Sequence, residues 1–180
     1  MFIYLIRHPE VINNQITRDG YLQIKSLLQK YELTKFDKIF SSTLERAKIA
    51  AIALSLNQKQ IPIYTDALCE IKPTITGNLR RKDTIRLKKV REQFSKSSVK
   101  KIAVVCHGNV IRWFISQELG TPFKKSLKLD IYPCSTSLLV RTKNKGKVLF
   151  VNSYQYLPKS IRSDYYYGRR TLSAKSKISR

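Results

Sequence analysis

Two histidines are the residues of this 180-residue chain whose positions most strongly suggest chemistry. His8 follows the apolar run FIYLI, and His107 follows the apolar run IAVVC. Short apolar runs rich in β-branched residues are typical of strands buried on both faces of a parallel sheet. In open α/β sheets, ligands bind at the carboxyl ends of such strands. We therefore expect the two imidazoles to share a site, where a neutral ring can act as nucleophile or proton carrier.

Charged residues are predicted to reach the same edge of the sheet. Arg7 directly precedes His8, and Arg46 lies in the first turn of the helix after the second predicted strand. Arginine binds phosphate through a planar fork of donors, and helix N-termini at 42–44 and 109–111 would add backbone N–H groups. Glu70 lies in the loop after the third strand, where an acid can overhang the site. For each residue taken alone, a structural or solvated role remains open.

A cysteine offers a second interpretation of the segment CHGNVIR. The C-x5-R spacing of Cys106 and Arg112 resembles the phosphate loop of cysteine-dependent phosphatases. However, Val110 and Ile111 have the pattern of the apolar face of a starting helix, and Cys106 continues an apolar strand, where small thiols are commonly buried. In a chain this rich in arginine the spacing also arises by chance. We interpret Cys106 as the end of a buried strand and retain His107 as the candidate.

Strand patterns alternate with helix patterns along the chain. We predict strands at 2–6, 36–42, 60–66 and 99–107 with a pair within 135–154, and helices at 17–33, 41–56, 79–94 and 109–119. Residues 66–78 are predicted to be a loop, residues 143–146 a turn, and Ser42 with Glu45 a capping box. The alternation predicts a three-layer α/β/α sandwich with a mostly parallel central sheet.

The surface charge is strongly positive. Lysine and arginine number 35 against 12 aspartates and glutamates, which gives a formal net charge of +23. Much of this excess lies in residues 79–101 and 158–180. Such a surface attracts anions, so contact with a phosphorylated protein, nucleic acid, another polyanion or an anionic membrane remains open, as does a merely solvated face. The pattern does not decide between these partners, nor whether the protein forms oligomers.

The remaining composition predicts a cytoplasmic protein. No apolar run approaches the ~18 residues of a membrane span, and the N-terminus has neither a signal-peptide pattern nor an anchor before its first strand. Cys69, Cys106 and Cys134 form no C-x-x-C pair. A disulfide framework or a zinc site is therefore not expected, and we predict reduced thiols.

Five segments in order carry a family resemblance: LIRHPE, ITRDGYLQ, SSTLERAKIAA, ALCEI and VVCHGN. They resemble the motifs of the histidine phosphatase superfamily, branch 1, which has a phosphoglycerate mutase-like fold. Within that superfamily, VVCHGNVIRWFI and SYQYLPKSIRS are most similar to the mitochondrial phosphoglycerate-mutase-family serine/threonine protein phosphatase. The resemblance implies a histidine phosphatase domain over 1–157. We expect the basic tail, 158–180, to be partly disordered or draped on the surface.

The resemblance also implies roles for individual residues. His8 matches the nucleophile that becomes phosphohistidine, and Glu70 matches the acid that protonates the leaving oxygen and later helps to activate water. The groups that match the clamp on the transferring phosphoryl are Arg7, Arg46 and His107. The positions that fall where some members touch substrate are Asn14, Gly108 and Asn109. No metal or other cofactor is implied.

The predicted function is a metal-independent phosphatase that acts on phosphoserine or phosphothreonine proteins. A small-molecule phosphatase or mutase of the same fold, or a low-activity scaffold that binds polyanions, remains an alternative. Pro9 departs from the small residue usual after the first histidine and supplies no backbone N–H to phosphate. The region after Glu70 lacks the Gly-Trp-Glu type sequence of sugar-phosphate members, which weakens the mutase alternative.

Overall fold

The protein is described by a computed structural model over residues 1–95, 99–142 and 145–163. Its strands are β1 (Phe2–Arg7), β2 (Val11–Ile12), β3 (Gln15–Ile16), β4 (Lys38–Ser42), β5 (Ile63–Thr65), β6 (Lys101–Cys106), β7 (Thr136–Arg141) and β8 (Gly146–Ser153). Its α-helices are α1 (Arg18–Lys30), α2 (Glu45–Gln58), α3 (Arg81–Ser95), α4 (Gly108–Glu118) and α5 (Phe123–Ser126). Short 3-10 helices span Asp66–Leu68 and Lys159–Ile161.

A six-stranded sheet in the order β5-β4-β6-β1-β7-β8 forms the centre of the molecule. Strand β7 is antiparallel to both β1 and β8, whereas the other neighbouring pairs are parallel. In the register of β1 with β6, Arg7 lies opposite Cys106, so these two strands end level with each other. The prediction of an α/β fold with a mostly parallel sheet is confirmed.

Helices cover both faces of the sheet and bury two hydrophobic clusters. Helices α1 and α2 pack on one face, where Ala47, Ala50 and Ala51 are fully buried and allow α2 to approach the strands closely. Helices α3 and α4 pack on the other face, where Trp113, Phe94 and Phe114 are the largest buried side chains. Among the described helices, none is both long and apolar enough to cross a bilayer.

Local structure differs from the predicted elements in several places. The hairpin of β2 and β3 and the short α5 were not predicted, because two- to four-residue elements leave no periodic pattern. The capping box is wrong: α2 begins at Glu45 with Leu44 as N-cap and no side-chain capping bond. Residues 143 and 144 of the predicted turn, and 164–180 of the predicted tail, lie outside the described residues.

The last described residues return to α1. Leu157 and Ile161 are buried, and Gln23 donates from Nε2 to the Ile161 carbonyl at 2.8 Å and to Ser163 Oγ at 3.0 Å. Gln23 Oε1 accepts the backbone N–H of Glu10 at 2.9 Å. One buried amide therefore joins the end of the described chain to the loop that follows β1.

Candidate active site

His8 continues the pairing of β1 and β6 beyond the last strand residue. Its backbone N–H donates to the Cys106 carbonyl at 3.0 Å, and its side chain is buried. Nδ1 lies 2.7 Å from the Pro9 carbonyl, while Nε2 accepts from Arg46 Nε at 3.3 Å. A carbonyl can only accept, so we assign the ring proton of His8 to Nδ1. Nε2 then carries the lone pair and is the nucleophilic atom of this side chain.

His107 follows β6 and its ring centroid lies 5.0 Å from that of His8. Its Nε2 lies 2.9 Å from Ser42 Oγ, at the end of β4, and Ser42 Oγ also accepts the Leu44 N–H at 3.2 Å. The hydroxyl proton of Ser42 can reach His107 Nε2 at 2.9 Å or Cys69 Sγ at 3.5 Å. We assign it to Nε2, because an imidazole nitrogen is a stronger acceptor than sulfur and lies at the shorter distance. The ring proton of His107 then lies on Nδ1, which is buried and has no partner among the described residues. Nδ1–H is thus available to a bound group.

Burial and arginine charges keep both imidazoles neutral. Burial is the main cause that holds the pKa of His8 well below its usual value, and Arg7, His107 and Arg46 add to it. Burial, followed by the charges of Arg46, Arg7 and Arg86, lowers the pKa of His107 to about 3. Both rings are therefore neutral at physiological pH, and the guanidinium groups of Arg7 and Arg46 supply the positive charge beside them.

Glu70 lies in the loop after β5 with its carboxyl group facing the N-terminus of α4. Its Oε1 accepts the Ile71 N–H at 3.0 Å. Burial raises the pKa of Glu70, although backbone N–H groups of Ile71 and Asn109 and the charges of Arg7 and Arg46 act in the opposite direction. The same arginines therefore influence Glu70 and both histidines, which places the sequence-predicted acid at the same site.

Arg86 of α3 holds the loop that carries Glu70. Its guanidinium donates to the carbonyls of Asp66 at 3.0 Å, Ala67 at 2.8 Å and Cys69 at 2.9 Å. Asp83 accepts from Arg86 Nε at 3.0 Å and so orients the guanidinium. The sequence does not single out Arg86, because a side chain that binds backbone carbonyls has no sequence motif and α3 has the pattern of a generic basic helix.

Asn109 and Gly108 lie beside these groups at the start of α4. Asn109 Nδ2 donates to the Ile71 carbonyl at 3.0 Å, and its Oδ1 accepts from Arg112 Nη1 at 3.0 Å. A Cβ on Gly108 would lie 3.3 Å from Arg112 Nη1 and 3.8 Å from Arg7 Nε. Asn109 therefore connects α4 to the Glu70 loop, and Gly108 leaves room for two guanidinium groups.

Asn14 lies in the turn between the two short strands that follow the His8 loop. Asn13 and Asn14 form the turn between β2 and β3 with φ of 51° and 64°, and Asn14 is exposed. Asparagine adopts this left-handed backbone more readily than most residues. The role of Asn14 as a substrate contact stays a prediction.

Cys106 is placed as a buried strand residue. It is fully buried, and burial raises its pKa far above that of a free thiol, so the thiolate is disfavoured. Arg112 donates to the Leu129 carbonyl from Nε at 2.9 Å and from Nη2 at 2.7 Å. Cys106 and Arg112 therefore do not form the phosphate-binding loop of a cysteine-dependent phosphatase.

The described site combines a nucleophilic imidazole, a second imidazole with a free N–H, two arginines and a protonatable carboxyl group. No three His, Cys, Asp or Glu side chains in the described part of the chain are arranged to hold a metal ion. Arg7 Nη1 donates to the Ile131 carbonyl, which fixes this guanidinium beside His8. Such a set can bind a phosphoryl group, accept it on nitrogen and donate a proton to the departing oxygen.

This fold and this site define the class of α/β phosphoryl-transfer enzymes that use histidine as nucleophile. The chain belongs to the histidine phosphatase superfamily (branch 1), whose family model matches residues 3–84 and 80–154. It is therefore a histidine-dependent phosphatase. The comparison with curated proteins returned no match.

Solved structures share the fold at low sequence identity. The alpha-ribazole phosphatase of Shigella flexneri has a TM-score of 0.76 at 17% identity, over 85% of this chain and 96% of that chain. The phosphoserine phosphatase of Entamoeba histolytica, a mutant in complex with phosphoserine, has a TM-score of 0.72 at 18% identity, over 87% and 99%. The mycobacterial glucosyl-3-phosphoglycerate phosphatase has a TM-score of 0.70 at 14% identity, over 85% and 99%. The narrower resemblance to the mitochondrial protein phosphatase is not supported.

Proposed function

We propose that this protein hydrolyses phosphate monoesters of small molecules through a phosphohistidine on His8. The single observation that carries the proposal is the orientation of the His8 ring. Its Nδ1–H is occupied by the Pro9 carbonyl, and its Nε2 lone pair faces the Arg46 guanidinium. A phosphoryl group that binds Arg46 in place of His8 Nε2 lies next to that nitrogen and leaves its lone pair available for attack on phosphorus.

In the first step, Nε2 of His8 attacks phosphorus and the bond from phosphorus to the ester oxygen breaks. Arg7, Arg46 and the Nδ1–H of His107 receive the charge on the equatorial phosphoryl oxygens, where positive groups stabilise the transition state. Glu70, whose pKa is raised by burial, gives its proton to the departing oxygen, which leaves as a neutral alcohol.

In the second step, water attacks the phosphohistidine and Glu70, now a carboxylate, takes the proton from that water. The bond from phosphorus to Nε2 breaks, inorganic phosphate leaves and the nitrogen lone pair is restored. Pro9 supplies no backbone N–H to the phosphoryl group, but its carbonyl holds the tautomer throughout. The departure noted in the sequence therefore removes one donor and preserves the orientation of the nucleophile.

The similar solved proteins favour a small-molecule substrate. They are an alpha-ribazole phosphatase, a phosphoserine phosphatase and a glucosyl-3-phosphoglycerate phosphatase. These similarities support the alternative from the sequence analysis more than a protein substrate. A phosphoserine or phosphothreonine peptide is nevertheless included in the test below, because preferred turnover of that substrate would restore the first expectation.

The test compares wild-type protein with H8A on a panel of monoesters in the presence of a metal chelator. We expect wild type to release phosphate from small monoesters and to form an acid-labile phosphoenzyme, and H8A to do neither, because no nitrogen lone pair remains at that position. Full turnover by H8A would exclude His8 as the nucleophile. Turnover confined to phosphopeptides would exclude the small-molecule proposal and leave the mechanism intact.

A further inference from the structure

A groove of about 230 Å³ opens beside Glu70. The residues that line it are Glu70, Lys72, Arg80, Lys82 and Asp83. Glu70 is the residue that we assign to protonate the leaving oxygen, so the groove lies where the alcohol part of a substrate must extend. Its chemistry is therefore relevant to the choice of substrate.

A tight turn brings both sides of the groove together. The Thr74 N–H donates to the Asn78 carbonyl at 2.8 Å, and the Gly77 N–H donates to the Thr74 carbonyl at 2.9 Å. Gly77 has φ of +76°, a backbone conformation that glycine adopts without cost. Because the chain reverses at this turn, Lys72 before it and Arg80 after it line the same groove.

Helix α5 supports the turn from behind. A Cβ on Gly77 would lie 3.3 Å from Lys124 Cβ and 3.4 Å from Leu127 Cδ1. The Thr74 side chain also accepts the Asn78 N–H at 3.1 Å, which closes the turn a second time. The groove wall is thus a built element of the fold.

The groove carries positive charge that the described residues do not neutralise. Within the described part of the chain, Lys72, Arg80 and Lys82 form no ion pair with a carboxylate. Asp83 lines the groove but is 9% exposed, and its carboxylate is paired with Arg86 at 3.0 Å. Three cations therefore line a cavity in which Asp83 already has a partner and Glu70 is assigned to the reaction.

We propose that this groove binds a second negative charge, carried by the leaving group, and thereby selects small monoesters whose alcohol part is anionic. The inference rests on the proposed function, since it names the substrate class of the same site. A carboxylate or a further phosphate on the alcohol satisfies it, because both are anions that lysine and arginine bind. An ester with a neutral alcohol gains nothing from these three side chains.

The test uses two esters with the same carbon skeleton, 3-phosphoglycerate and glycerol 3-phosphate, in which a carboxylate is replaced by a neutral CH2OH group. We expect wild type to have at least about a tenfold higher kcat/KM for 3-phosphoglycerate, equivalent to about 1.4 kcal/mol. In the triple variant K72Q/R80Q/K82Q the ratio of the two kcat/KM values should fall towards one. The matched control is K25Q/K30Q/K35Q, which removes the same charge from exposed positions on and after α1.

Binding of both esters to H8A, measured by calorimetry, separates the two proposals. One outcome is that no ester of the panel is turned over, while H8A binds 3-phosphoglycerate more tightly than glycerol 3-phosphate and loses this preference when the three groove cations are replaced. The proposed function is then wrong and the groove assignment stands. If wild type turns over both esters equally well, the groove assignment is wrong and the phosphatase proposal stands. An equal loss of preference in both triple variants would show that only net charge matters and would also overturn the assignment.

Discussion

The position of one proton on each histidine decides which atoms of the site face a phosphoryl group. The Pro9 carbonyl fixes the ring proton of His8 on Nδ1. The Ser42 hydroxyl contacts Nε2 of His107 and so fixes the ring proton of His107 on Nδ1. The first ring thereby offers a lone pair and the second offers a donor. Two chemically identical side chains acquire different functions from one carbonyl and one hydroxyl.

Replacement of Ser42 by alanine should therefore lower kcat more than it affects folding. Without the hydroxyl, the ring proton of His107 is free to move to Nε2, and Nδ1 then presents a lone pair to the phosphoryl oxygens. We expect a loss of about tenfold in kcat, or about 1.4 kcal/mol of transition-state stabilisation. The control is S116A, because Ser116 is equally buried and donates only to the Trp113 carbonyl of its own helix. Equal kcat values for the two variants would contradict the tautomer assignment.

The raised pKa of Glu70 predicts an alkaline limit to activity. The acid form persists above the usual range of a glutamate and is lost as pH rises through the raised pKa, so kcat/KM should fall on that side. On the acid side, both histidines have lowered pKa values, so their protonation should limit the rate only at a pH well below the usual range of an imidazole.

The measurement is the ratio of kcat/KM for E70Q to kcat/KM for wild type across the pH range. Ionisation of the ester itself affects both enzymes equally and cancels in this ratio. E70Q should lose about 100-fold at low pH and approach wild type at high pH, since a positioned acid contributes about 10²–10⁴ in rate. The exposed Glu32 provides the control E32Q. A constant ratio across the pH range would exclude Glu70 as the general acid.

At the scale of secondary structure, the loop after β1 is held by helix α1 and by the last described segment. Gln23 is fully buried and bonds to Glu10 on one side and to Ile161 and Ser163 on the other. Glu10 in turn accepts from Ser163. The loop that carries the nucleophile is therefore fixed by a segment more than a hundred residues later in the chain.

Replacement of Gln23 by leucine should destabilise the protein and disturb His8 together. The change removes the buried hydrogen bonds of the Gln23 amide to the Glu10 N–H and the Ile161 carbonyl, at a cost of about 2 kcal/mol. Urea unfolding measures this loss, and kcat should fall in the same variant because Glu10 lies two residues after His8. Q29L, at an exposed position of the same helix, should change neither quantity. Wild-type kcat in a destabilised Q23L would show that the segment stabilises the fold without positioning the nucleophile.

The elements that carry the reaction were predictable because they are long and apolar. Strands β1 and β6 contain continuous apolar sequence, and both histidines follow them directly, so their common edge follows from the rules of parallel sheets. The partner of His107 was not predictable in the same way. Ser42 reaches His107 only because β4 lies next to β6 in the sheet, and that neighbour relation depends on strand order, which the sequence pattern does not specify.

The remaining differences have related causes. Ser42 and Glu45 match a capping box in sequence, but the Ser42 hydroxyl is used by His107 and Leu44, and the helix starts later than predicted. Asn109 was predicted as a substrate contact from the family resemblance. That role stays a prediction. Its amide also bonds to Ile71 and Arg112, and the sequence pattern does not specify these contacts because they join distant segments of the chain.

For the molecule as a whole, the net charge of +23 predicts that salt slows the encounter with an anionic ester. Raising the ionic strength from about 0.01 M to about 0.1 M shortens the Debye length from roughly 30 Å to roughly 10 Å. We expect kcat/KM to fall several-fold over this range while kcat changes little, because screening acts on approach and not on the bound complex. Steady-state kinetics in sodium chloride measures both quantities, with the unfolding midpoint as a control. An equal fall in kcat would indicate that salt acts on the site itself.

The level ends of β1 and β6 have a consequence for how such an enzyme can change. Neighbouring strands lie about 4.8 Å apart, and the ring centroids of His8 and His107 lie 5.0 Å apart, so the spacing of the two imidazoles follows from backbone pairing. The groove residues Lys72 and Arg80 lie outside the sheet, around a turn that has its own hydrogen bonds. The spacing of the two imidazoles and the proposed recognition of the leaving group thus lie in separate parts of the structure. The turn over residues 72–80, which follows Glu70, can therefore change in sequence without altering the spacing of the two histidines.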